Sequence, residues 1–575
     1  MLVGAVVAFL LTAAWLNRWV ADDAFIDLRV VANLRHGFGP VFNVGERVEV
    51  FTSPLWVAAL WLFSSVLPGV ALEWIAVVAG GLAAAVGFVA AARGAWFLWR
   101  GSARRGVAVP LGLLLVVAVR PVWDFATSGL ETGLTFAWLG TCFWALAALH
   151  FAEPKRWSRT ATAVLIGLGP LVRPDLAIYS AGFLVLLFAL PAAPKRAARL
   201  RLLLWAALVP VGYELFRMGY YAALEPNTAL AKEAGQADWG RGWEYLKDFV
   251  RPYYLFIPVL ALLGAALYEL RDTMRARGPV LLFVAAPIAC AAIHALYIVR
   301  VGGDFMHARM FLPSLFGAML PVAVVVPEGR KVLFAAALVV SAWAILAIAA
   351  LRPSYGDPRQ PRVVDDERAF YAAVSGSKHP VTLDDYRVTP YARNGWALRS
   401  LAERGRALVV QVPWTPLRSA NGAPNASSAS PVVGGAHAIG IIGYAAGPKV
   451  HIADQLALAD PIASHFRIEA LTLPGGMYRP ARSKPGHEKY MAAEWIAARF
   501  GPPGARQLPG IRLSPTWLAA AQRSLSCPSI RTLLTAVDAP MTFDRFFSNV
   551  GQSFTLDRLR FSADPVQADR QLCPH

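Results

Sequence analysis

The sequence predicts a polytopic α-helical membrane protein with about eleven transmembrane helices and a C-terminal soluble α/β-like domain. The 575-residue chain is 56% hydrophobic and only 16% charged, whereas a soluble domain usually carries about 25% charged residues. Apolar runs such as residues 281–299 and 333–351 are long enough to cross a hydrocarbon core of about 30 Å as helices. Beyond residue 351 the chain is more polar and rich in Pro and Gly. We therefore predict a membrane domain over residues 1–351 and a soluble domain over residues 352–575.

Short loops rich in Lys and Arg separate many of the apolar runs and indicate which side of the membrane each loop faces. Such loops, at residues 100–105, 155–159, 195–201, 271–277 and 330–331, are typical of the cytoplasmic side. Alternating them with less basic excursions predicts spans near residues 2–20, 72–98, 107–119, 132–152, 161–172, 176–190, 202–218, 253–270, 279–299, 311–326 and 332–351. A further span at residues 54–67 would break this alternation, so that stretch is predicted to be an interfacial or re-entrant helix.

The net charge of +18 lies largely in these basic loops, which face anionic lipid, so it does not indicate a nucleic-acid-binding protein. Five other excursions mix acids, Gly, Asn and aromatic residues and fall on the opposite side. They cover residues 21–53, 120–131, 173–175, 219–251 and 300–309. An odd number of spans after a cytoplasmic N-terminus places these excursions and the C-terminal domain outside the cytoplasm. The prediction is a multi-pass plasma-membrane protein with an extracytoplasmic site.

The C-terminal domain alternates strand-like stretches with a helix-like one. The stretches ALVVQVPW, AIGIIGYAAG and KVHIAD are strand-like, HEKYMAAEWIAARF is helix-like, and residues 419–430 are a low-complexity, flexible stretch. Cys142 and Cys290 lie in apolar runs and are predicted to pack in the core. Cys527 and Cys573 can pair if the domain lies outside the reducing cytosol, and both the paired and the unpaired state stay open.

Two adjacent carboxylates, Asp22 and Asp23, follow the first apolar run. Carboxylates at membrane depth cost free energy unless they serve an ion, a substrate or a partner. Helix capping accounts for one aspartate but not for two. Since adjacent helical residues are rotated by about 100°, one side chain can face a cavity while the other contacts an Arg or the backbone.

Polar residues in the other excursions predict that a cavity forms around this pair. Arg29 is suited to bind a carboxylate or a phosphate with two N–H groups. The further candidates are Glu131, Arg173, Asp175, Asn227, Lys232, Asp304, His307 and Arg309. Together they offer cations for a phosphate, a carboxylate to take a proton from a hydroxyl group, and donors for a sugar. No zinc or nucleotide motif is present. The Asp pair also suits a divalent cation, so a metal requirement is left open and no cofactor is assigned.

These residues occur in motifs that resemble a known family. The motifs are DDAF at 22–25, FNVGERVE at 42–49, SGLET at 128–132, RPD at 173–175, PNT at 226–228 and GGDFM at 302–306. They resemble the GT-C class of membrane glycosyltransferases, which use polyprenyl-phosphate sugars. Together with the stretches GGDFMHAR and HIADQLALADPIASH, they look most like the AftB-type terminal arabinofuranosyltransferases of actinobacterial cell-wall synthesis.

That resemblance implies a GT-C fold, a decaprenyl-phosphoryl arabinofuranose donor and an arabinan acceptor in arabinogalactan or lipoarabinomannan. It implies transfer to the non-reducing end through a terminal β-(1→2) linkage. The catalytic acid pair carries over to Asp22 and Asp23. Arg173, Lys232 and Arg309 carry over as phosphate-binding candidates. Sugar-binding or orienting candidates are Glu131, Asn227, Asp304 and His307, with Asp175 beside them.

Three other functions are weighed against this one. A transferase of the same class for another polyprenyl-phosphate sugar, or for a protein acceptor, would differ in its donor or acceptor. A transporter of lipid-linked sugars would spread its charges along a path that reaches both faces, whereas here the polar excursions gather on one side. A non-catalytic scaffold would have no use for two carboxylates at membrane depth.

Overall fold

A computed structural model describes the chain except for residues 101–106, 152–157, 190–195, 234, 277, 361, 407, 412–431, 482–483, 503, 505, 510 and 574–575. Some predicted features lie outside the described residues: the low-complexity stretch 419–430, residues 412–414 at the end of the predicted strand ALVVQVPW, and parts of the predicted basic loops.

The N-terminal part of the chain is helical. Its helices are α1 (Leu2–Leu16), α2 (Asp22–Arg35), α3 (Pro54–Val66), α4 (Leu72–Arg100), α5 (Leu111–Val117), α6 (Pro121–Ala126), α7 (Thr132–Phe151), α8 (Arg159–Gly167), α9 (Gly169–Val172), α10 (Ala177–Ala189), α11 (Arg196–Tyr221), α12 (Asn227–Lys232), α13 (Trp239–Tyr253), α14 (Phe256–Ala276), α15 (Gly278–Arg300), α16 (Leu312–Met319) and α17 (Lys331–Ala349). The predicted domain boundary after residue 351 follows the end of α17.

Several of these helices are suited to cross a membrane. Within the described ranges, five are long and apolar enough: Leu72–Trp99, Thr132–Phe151, Arg196–Tyr221, Gly278–Arg300 and Lys331–Ala349. The α13 and α14 pair is bent by 82° and adds a sixth if it counts as one broken span. Each of the five coincides with a predicted span, whereas 107–119 contains only the short helix α5. The total of about eleven crossings stays a prediction.

Glycines let α4 and α7 pack closely. A Cβ atom on Gly133 would come within 2.1 Å of the Gly80 carbonyl oxygen, and one on Gly140 within 2.3 Å of the Gly87 carbonyl oxygen. On each helix the two glycines are seven residues apart and therefore lie on one face. Small residues allow such close backbone contact between membrane helices. This packing fixes the start of α7, which Glu131 immediately precedes.

The C-terminal part mixes strands and helices. Its elements are α18 (Glu367–Ser375), α19 (Pro390–Glu403), β1 (Val409–Gln411), β2 (Val432–Ala436), α20 (Gly440–Ala446), β3 (Val450–Asp454), β4 (Leu471–Thr472), β5 (Tyr478–Arg479), α21 (Ala493–Phe500), β6 (Gln507–Leu508), β7 (Ile511–Arg512), α22 (Pro515–Ser526), α23 (Pro528–Asp538), α24 (Phe543–Leu556) and α25 (Pro565–Leu572). β1, β2 and β3 form a parallel sheet in that order, with Val433 opposite Val409 and His451.

One of the predicted strands is wrong. The stretch AIGIIGYAAG forms the loop into α20 and α20 itself, which connects β2 to the parallel strand β3. Parallel strands need such a crossover. Small residues allow α20 to pack tightly: a Cβ atom on Gly443 would be 2.7 Å from the Phe42 ring. This tertiary packing outweighs the β-propensity of Ile441 and Ile442, the two isoleucines of α20.

The four cysteines divide as their positions in the sequence indicate. Cys142 and Cys290 are buried and unpaired in the helical part. Cys527, which follows α22, and Cys573, which follows α25, form a disulfide with their Cα atoms 5.6 Å apart. The structure thus selects the paired state that the sequence left open.

Candidate active site

The helix α2 begins at Asp22, so Asp22 and Asp23 both lie in its first turn. The preceding residue Ala21 is the N-cap, and no side chain caps the helix by hydrogen bonding. Neither aspartate therefore caps α2 through its side chain. Acidic residues in a first turn still interact favourably with the helix dipole, but the two carboxylates make different contacts, as the rotation between them predicts.

Asp22 caps a different helix. Its Oδ2 accepts a hydrogen bond from the backbone N–H of Gly440 at 3.1 Å, and its Oδ1 accepts one from Ile441 at 2.8 Å. These are the first two N–H groups of α20, which have no partner within that helix. Burial raises the pKa of Asp22 to about 6, Asp23 also raises it, and the two backbone N–H groups act in the opposite direction.

Asp23 faces open space. Its side chain is 29% exposed, and its nearest cation is Arg309, with Nη1 3.7 Å from Oδ2. No hydrogen bond to its carboxylate is formed by the described residues, so both oxygens are accessible to a ligand. Burial raises the pKa of Asp23, while the positive charges of Arg309 and Lys232 lower it. Asp23 therefore has the contacts of a reactive carboxylate, and Asp22 those of a structural one.

The space in front of Asp23 is a cavity of about 440 Å³ between the helical part and the C-terminal part. Both parts contribute to its walls. The lining residues are Asp22, Asp23, Ile26, Lys232, Phe305, Met306, Arg359, Asp365, Glu367, Phe370, Tyr371, Tyr391, His437, Ala438, Ile439, Leu456, Leu458, Lys484, Pro485, Gly486 and His487. The volume is in the range of pockets that hold small-molecule ligands.

Two lysines supply positive charge to the cavity, one from the helical part and one from the C-terminal part. Lys232 is exposed at the end of α12, and within the described part of the chain no carboxylate lies within 4.0 Å of its Nζ. Lys484 comes from the C-terminal part and lies 3.3 Å from Asp365 and 3.5 Å from Glu367. Its Nζ also lies 4.3 Å from the centre of the Phe305 ring. The two ammonium groups are suited to a phosphate in the cavity.

A second pair of carboxylates reaches the cavity from the start of α18: Asp365 lies just before this helix and Glu367 is its first residue. The backbone N–H of Asp365 donates to the Phe305 carbonyl at 2.8 Å, and the His307 N–H donates to the Asp365 carbonyl at 3.0 Å. This pairing holds Asp365 and Glu367 beside the GGDFM motif. Burial raises the pKa of Glu367 to about 8, although Lys484 lowers it, so this carboxyl group is mainly protonated at neutral pH.

Arg309 connects Asp23 to a buried ion-pair network. Besides Asp23, it lies 3.4 Å from Glu131 and 3.7 Å from Asp304. Arg173 lies on the other side of Glu131, at 3.3 Å, and binds both oxygens of Asp175 at 3.0 Å. The predicted residues Glu131, Arg173, Asp175, Asp304 and Arg309 are thus brought together. Only the Arg309 end of the network reaches Asp23, and none of these five lines the cavity.

The His294 imidazole continues this network away from the cavity. Its Nε2 lies 2.7 Å from Asp175, and its Nδ1 lies 2.7 Å from the Ser314 hydroxyl. Arg173 and Asp175 are therefore held between Glu131 and His294, deep among the helices. This position fits a role in fixing the network better than a direct contact with a phosphate.

Three further predicted site residues lie outside the cavity, and they do not belong to this ion-pair network. Arg29 donates from its side chain to the carbonyl groups of Phe42, Gly443 and Val450, and these bonds tie α2 to α20 and β3. Asn227 donates to the carbonyl groups of Ala457 and Leu458 at 3.0 and 2.9 Å.

The third is His307. Its Nδ1 lies 2.6 Å from Asp248 and 2.8 Å from the Tyr355 hydroxyl. This side chain lines a neighbouring small cavity of about 40 Å³ together with Asp365 and Glu367. Arg29 and Asn227 hold the C-terminal part in place, and His307 supports the carboxylate segment from behind.

No trio of metal ligands surrounds the aspartate pair in the part of the chain that the structure describes. The only group of three close His, Cys, Asp or Glu ligand atoms found there is Cys527, Asp569 and Cys573. Its two sulfur atoms are joined in the disulfide.

The sequence interpretation missed the residues that the C-terminal part brings to the cavity. Glu367, Lys484, His437 and His487 lie in no motif that was recognised. His437 and His487 both have a pKa that burial lowers to about 4, so both are neutral at pH 7 and suited to bond with sugar hydroxyl groups. The one signal in the sequence was the polar run KPGHEK at 484–489, which is ordinary in a soluble domain.

Two proteins with known activity are similar to nearly the whole chain. A terminal beta-(1->2)-arabinofuranosyltransferase of Mycobacterium tuberculosis is 33% identical over 96% of this chain and 94% of its own length. The chain belongs to the AftB family. A second terminal beta-(1->2)-arabinofuranosyltransferase, from Corynebacterium glutamicum, is 32% identical over 98% of this chain and 86% of its own length.

The family model described as the AftB family C-terminal domain matches residues 409–571. No solved structure matches the chain. Membership of the AftB family confirms the resemblance that the motifs indicated and makes the chain an arabinofuranosyltransferase.

Proposed function

We propose that this enzyme transfers arabinofuranose from decaprenyl-phosphoryl arabinofuranose to the non-reducing ends of arabinan in arabinogalactan or lipoarabinomannan. The product would carry a terminal β-(1→2) linkage, as the names of both relatives state for those proteins. The cavity would open on the extracytoplasmic side, where the predicted topology puts the C-terminal domain. Residues 1–351 would form the membrane catalytic domain of GT-C type.

The observation that carries the proposal is the difference between the two adjacent aspartates. Asp22 is occupied by the N–H groups of Gly440 and Ile441. Asp23 faces the cavity, and among the described residues Arg309 is the cation that lies within 4.0 Å of its carboxylate. We assign Asp23 as the carboxylate that faces the sugar, and Asp22 as the residue that holds the C-terminal wall in position.

The cations around the cavity support a phosphate-bearing donor. Lys232 and Lys484 are the phosphate ligands that we assign, because both line the cavity, one from the helical part and one from the C-terminal part. Arg309 is already surrounded by Asp23, Glu131 and Asp304, so its role is to position Asp23. Tyr371, Tyr391 and the neutral His437 and His487 offer a polar and aromatic surface for the sugar rings.

If the donor phosphate is β-linked like the proposed product, the configuration of the anomeric carbon is retained. In one route, an Asp23 oxygen attacks the anomeric carbon of the sugar. The bond between this carbon and the phosphate oxygen breaks, and decaprenyl phosphate leaves. The acceptor hydroxyl then displaces Asp23 and loses its proton to a base. In the other route, the acceptor attacks from the side of the departing phosphate, which takes the proton. Asp23 then stabilises the positive charge on the sugar.

The test uses purified enzyme in nanodiscs, a decaprenyl-phosphoryl arabinofuranose donor and a short arabinan acceptor, with the product linkage determined by NMR. We expect Asp23→Asn to lower kcat at least 100-fold, within the range for general acid–base or nucleophilic groups. Asp22→Asn should lose about tenfold, because it acts only through α20. Equal activity of both variants and the wild type would refute the assignment.

The same assay separates the alternatives. Transfer from a polyprenyl-phosphoryl mannose, or to a peptide, with no transfer of arabinofuranose to arabinan, would replace the proposed donor or acceptor. Movement of the donor across liposomes without any transfer product would indicate a transporter. A covalent arabinosyl adduct on Asp23, found by mass spectrometry with a slow fluorinated donor, would favour the two-step route.

A further inference from the structure

The helix α24 of the C-terminal domain presents a row of exposed aromatic side chains. Phe543, Phe547 and Phe554 are 86%, 68% and 52% exposed. At 3.6 residues per turn these three positions lie on one narrow face, with the partly buried Val550 between them. Three exposed phenylalanines in a row are unusual on a surface that only water covers.

The opposite face of α24 is fixed to a candidate membrane span. The side chain of Asn549 donates to the carbonyl oxygen of Gly219 in α11 at 3.0 Å and to that of Ala536 at 3.1 Å. Gly219 leaves room for the Phe546 ring, since a Cβ atom there would lie 2.2 Å from it. These contacts hold α24 against the last turn of α11.

The surface of α11 is suited to face lipid. Among its exposed apolar side chains are Leu204, Leu208, Val211 and Leu215, and the last of these lies one turn before Gly219. Three of the four basic residues of α11, Arg196, Arg199 and Arg201, lie at its other end, which is the end predicted to be cytoplasmic. The fourth, Arg217, is buried and paired with Glu49 and Glu214.

Aromatic residues mark the end of α11 where α24 lies. Phe216 and Tyr220 stack with their ring centres 5.1 Å apart, and Tyr213 lies 5.8 Å from Phe216. Aromatic residues gather where membrane helices leave the hydrocarbon core. The exposed face of α24 therefore begins where the lipid-facing surface of α11 ends.

We propose that α24 lies in the interface of the outer leaflet and inserts Phe543, Phe547 and Phe554 among the lipid acyl chains. The occupant of this face is lipid, because the face continues the lipid-facing surface of α11. Asp544 and Arg545 are the only charged residues of α24 and cancel each other, so the contact should not require anionic lipid. The contact would hold the C-terminal wall of the cavity at a fixed height above the membrane. It does not depend on which donor or acceptor the enzyme uses.

The cysteine content of the chain allows a direct test. Cys142 and Cys290 are buried, and Cys527 is paired with Cys573, so a cysteine introduced on α24 is the main site for labelling. Phe547→Cys reports on the aromatic face. Thr555→Cys, exposed about 80° away on the same helix, is the matched control.

Both variants are labelled with an environment-sensitive fluorophore in nanodiscs of zwitterionic phosphatidylcholine. The signal is quenched either by a lipid with a spin label on its acyl chain or by a water-soluble paramagnetic complex. We expect the lipid quencher to act at least threefold more strongly at position 547 than at 555, and the aqueous quencher to act in the reverse order. Trp243→Cys is a third labelled variant, which shows how the two quenchers act at an exposed position on another helix. Trp243 lies on α13, the helix bent by 82° from α14.

Three results would overturn the proposal. Equal quenching at positions 547 and 555 by the aqueous complex, with no effect of the lipid label, would leave the face in water. Protection of the Phe547→Cys label from both quenchers, together with disulfide crosslinks between two chains of that variant, would place a second copy of the chain on it. A label whose response needs anionic lipid would contradict the inference that the contact is apolar.

Discussion

Asp22 Oδ2 accepts a hydrogen bond from the backbone N–H of Gly440 across 3.1 Å, although the two residues are 418 positions apart in the chain. The contact brings the first residue of α2 against the first residue of α20. A Cβ atom on residue 440 would lie 1.8 Å from the Asp22 carbonyl oxygen, so only glycine allows this approach. The C-terminal wall of the cavity is therefore held close to Asp23 by the adjacent residue, Asp22.

Gly440→Ala should separate α20 from α2 and open the cavity. We expect a lower melting temperature and at least a tenfold loss of kcat, measured on the purified enzyme with saturating donor. Gly551→Ala in α24 is the control, because nothing lies within 4 Å of its Cβ position and alanine favours a helix by about 0.5–1 kcal/mol. Full activity and an unchanged melting temperature for Gly440→Ala would mean that α20 does not pack on Asp22 in the working enzyme.

The sequence predicts the helical part well because lipid is a demanding solvent. A helix that crosses it needs about 20 apolar residues, and this requirement is visible without any structure, as at 278–300 and 331–349. The aspartate pair was also visible, since carboxylates at membrane depth are rare. Lys232 and Arg309 are predicted because they are charged residues in the same kind of excursion; Lys232 lines the cavity and Arg309 lies 3.7 Å from Asp23.

Other features depend on tertiary contacts that a sequence does not record. A buried arginine that binds backbone carbonyl groups, as Arg29 does, looks the same in a sequence as one that binds a phosphate. Lys484 belongs to a polar stretch typical of any soluble surface and reaches the cavity only because its domain docks on α2. The stretch that forms α20 predicts a strand because isoleucine favours strands, whereas its packing against α2 makes it a helix.

Lys232→Ala should weaken donor binding without destabilising the protein. A lost charge-assisted bond to a phosphate is worth about 1.5–3 kcal/mol, so the donor KM should rise about tenfold or more while kcat changes little. The melting temperature should stay the same, since the Lys232 side chain is exposed. Lys449→Ala removes another exposed lysine, outside the cavity lining, and should leave KM unchanged. An effect on kcat alone would argue that Lys232 does not bind the donor in its ground state.

Lys484→Ala should raise the donor KM in the same way and should also alter a nearby titration. The substitution removes the ammonium group that lies 3.3 Å from the Asp365 carboxylate and 3.5 Å from the Glu367 carboxylate. The pKa of Glu367 should then rise further above its present value of about 8. The measurement is the donor KM as a function of pH. A KM equal to that of the wild type at every pH would exclude Lys484 from the phosphate site.

Glu367→Gln should change how stability depends on pH. Burial raises the pKa of Glu367 from an ordinary value of 4.5 to about 8 in the folded protein. Its contribution to stability is therefore complete below about pH 4.5 and is lost as the pH rises towards 8, by at most about 1.4 kcal/mol for each pH unit. The Gln variant mimics the protonated acid, so its melting temperature relative to the wild type should increase from pH 5 to pH 8 and level off above. A constant difference would show that Glu367 titrates normally.

The disulfide between Cys527 and Cys573 should stabilise the C-terminal domain and report its side of the membrane. It closes a loop with a sequence separation of 46 residues, which is worth about 2–4 kcal/mol. Neither cysteine lines the cavity, so the Cys527→Ser, Cys573→Ser double variant should have a lower melting temperature but nearly normal kcat at 25 °C. A reductant should lower the melting temperature of the wild type to the same value and leave the variant unchanged.

In intact cells the wild-type cysteines should resist alkylation until they are reduced, because a disulfide persists only outside the reducing cytosol. Alkylation without prior reduction would contradict the extracytoplasmic placement of this domain.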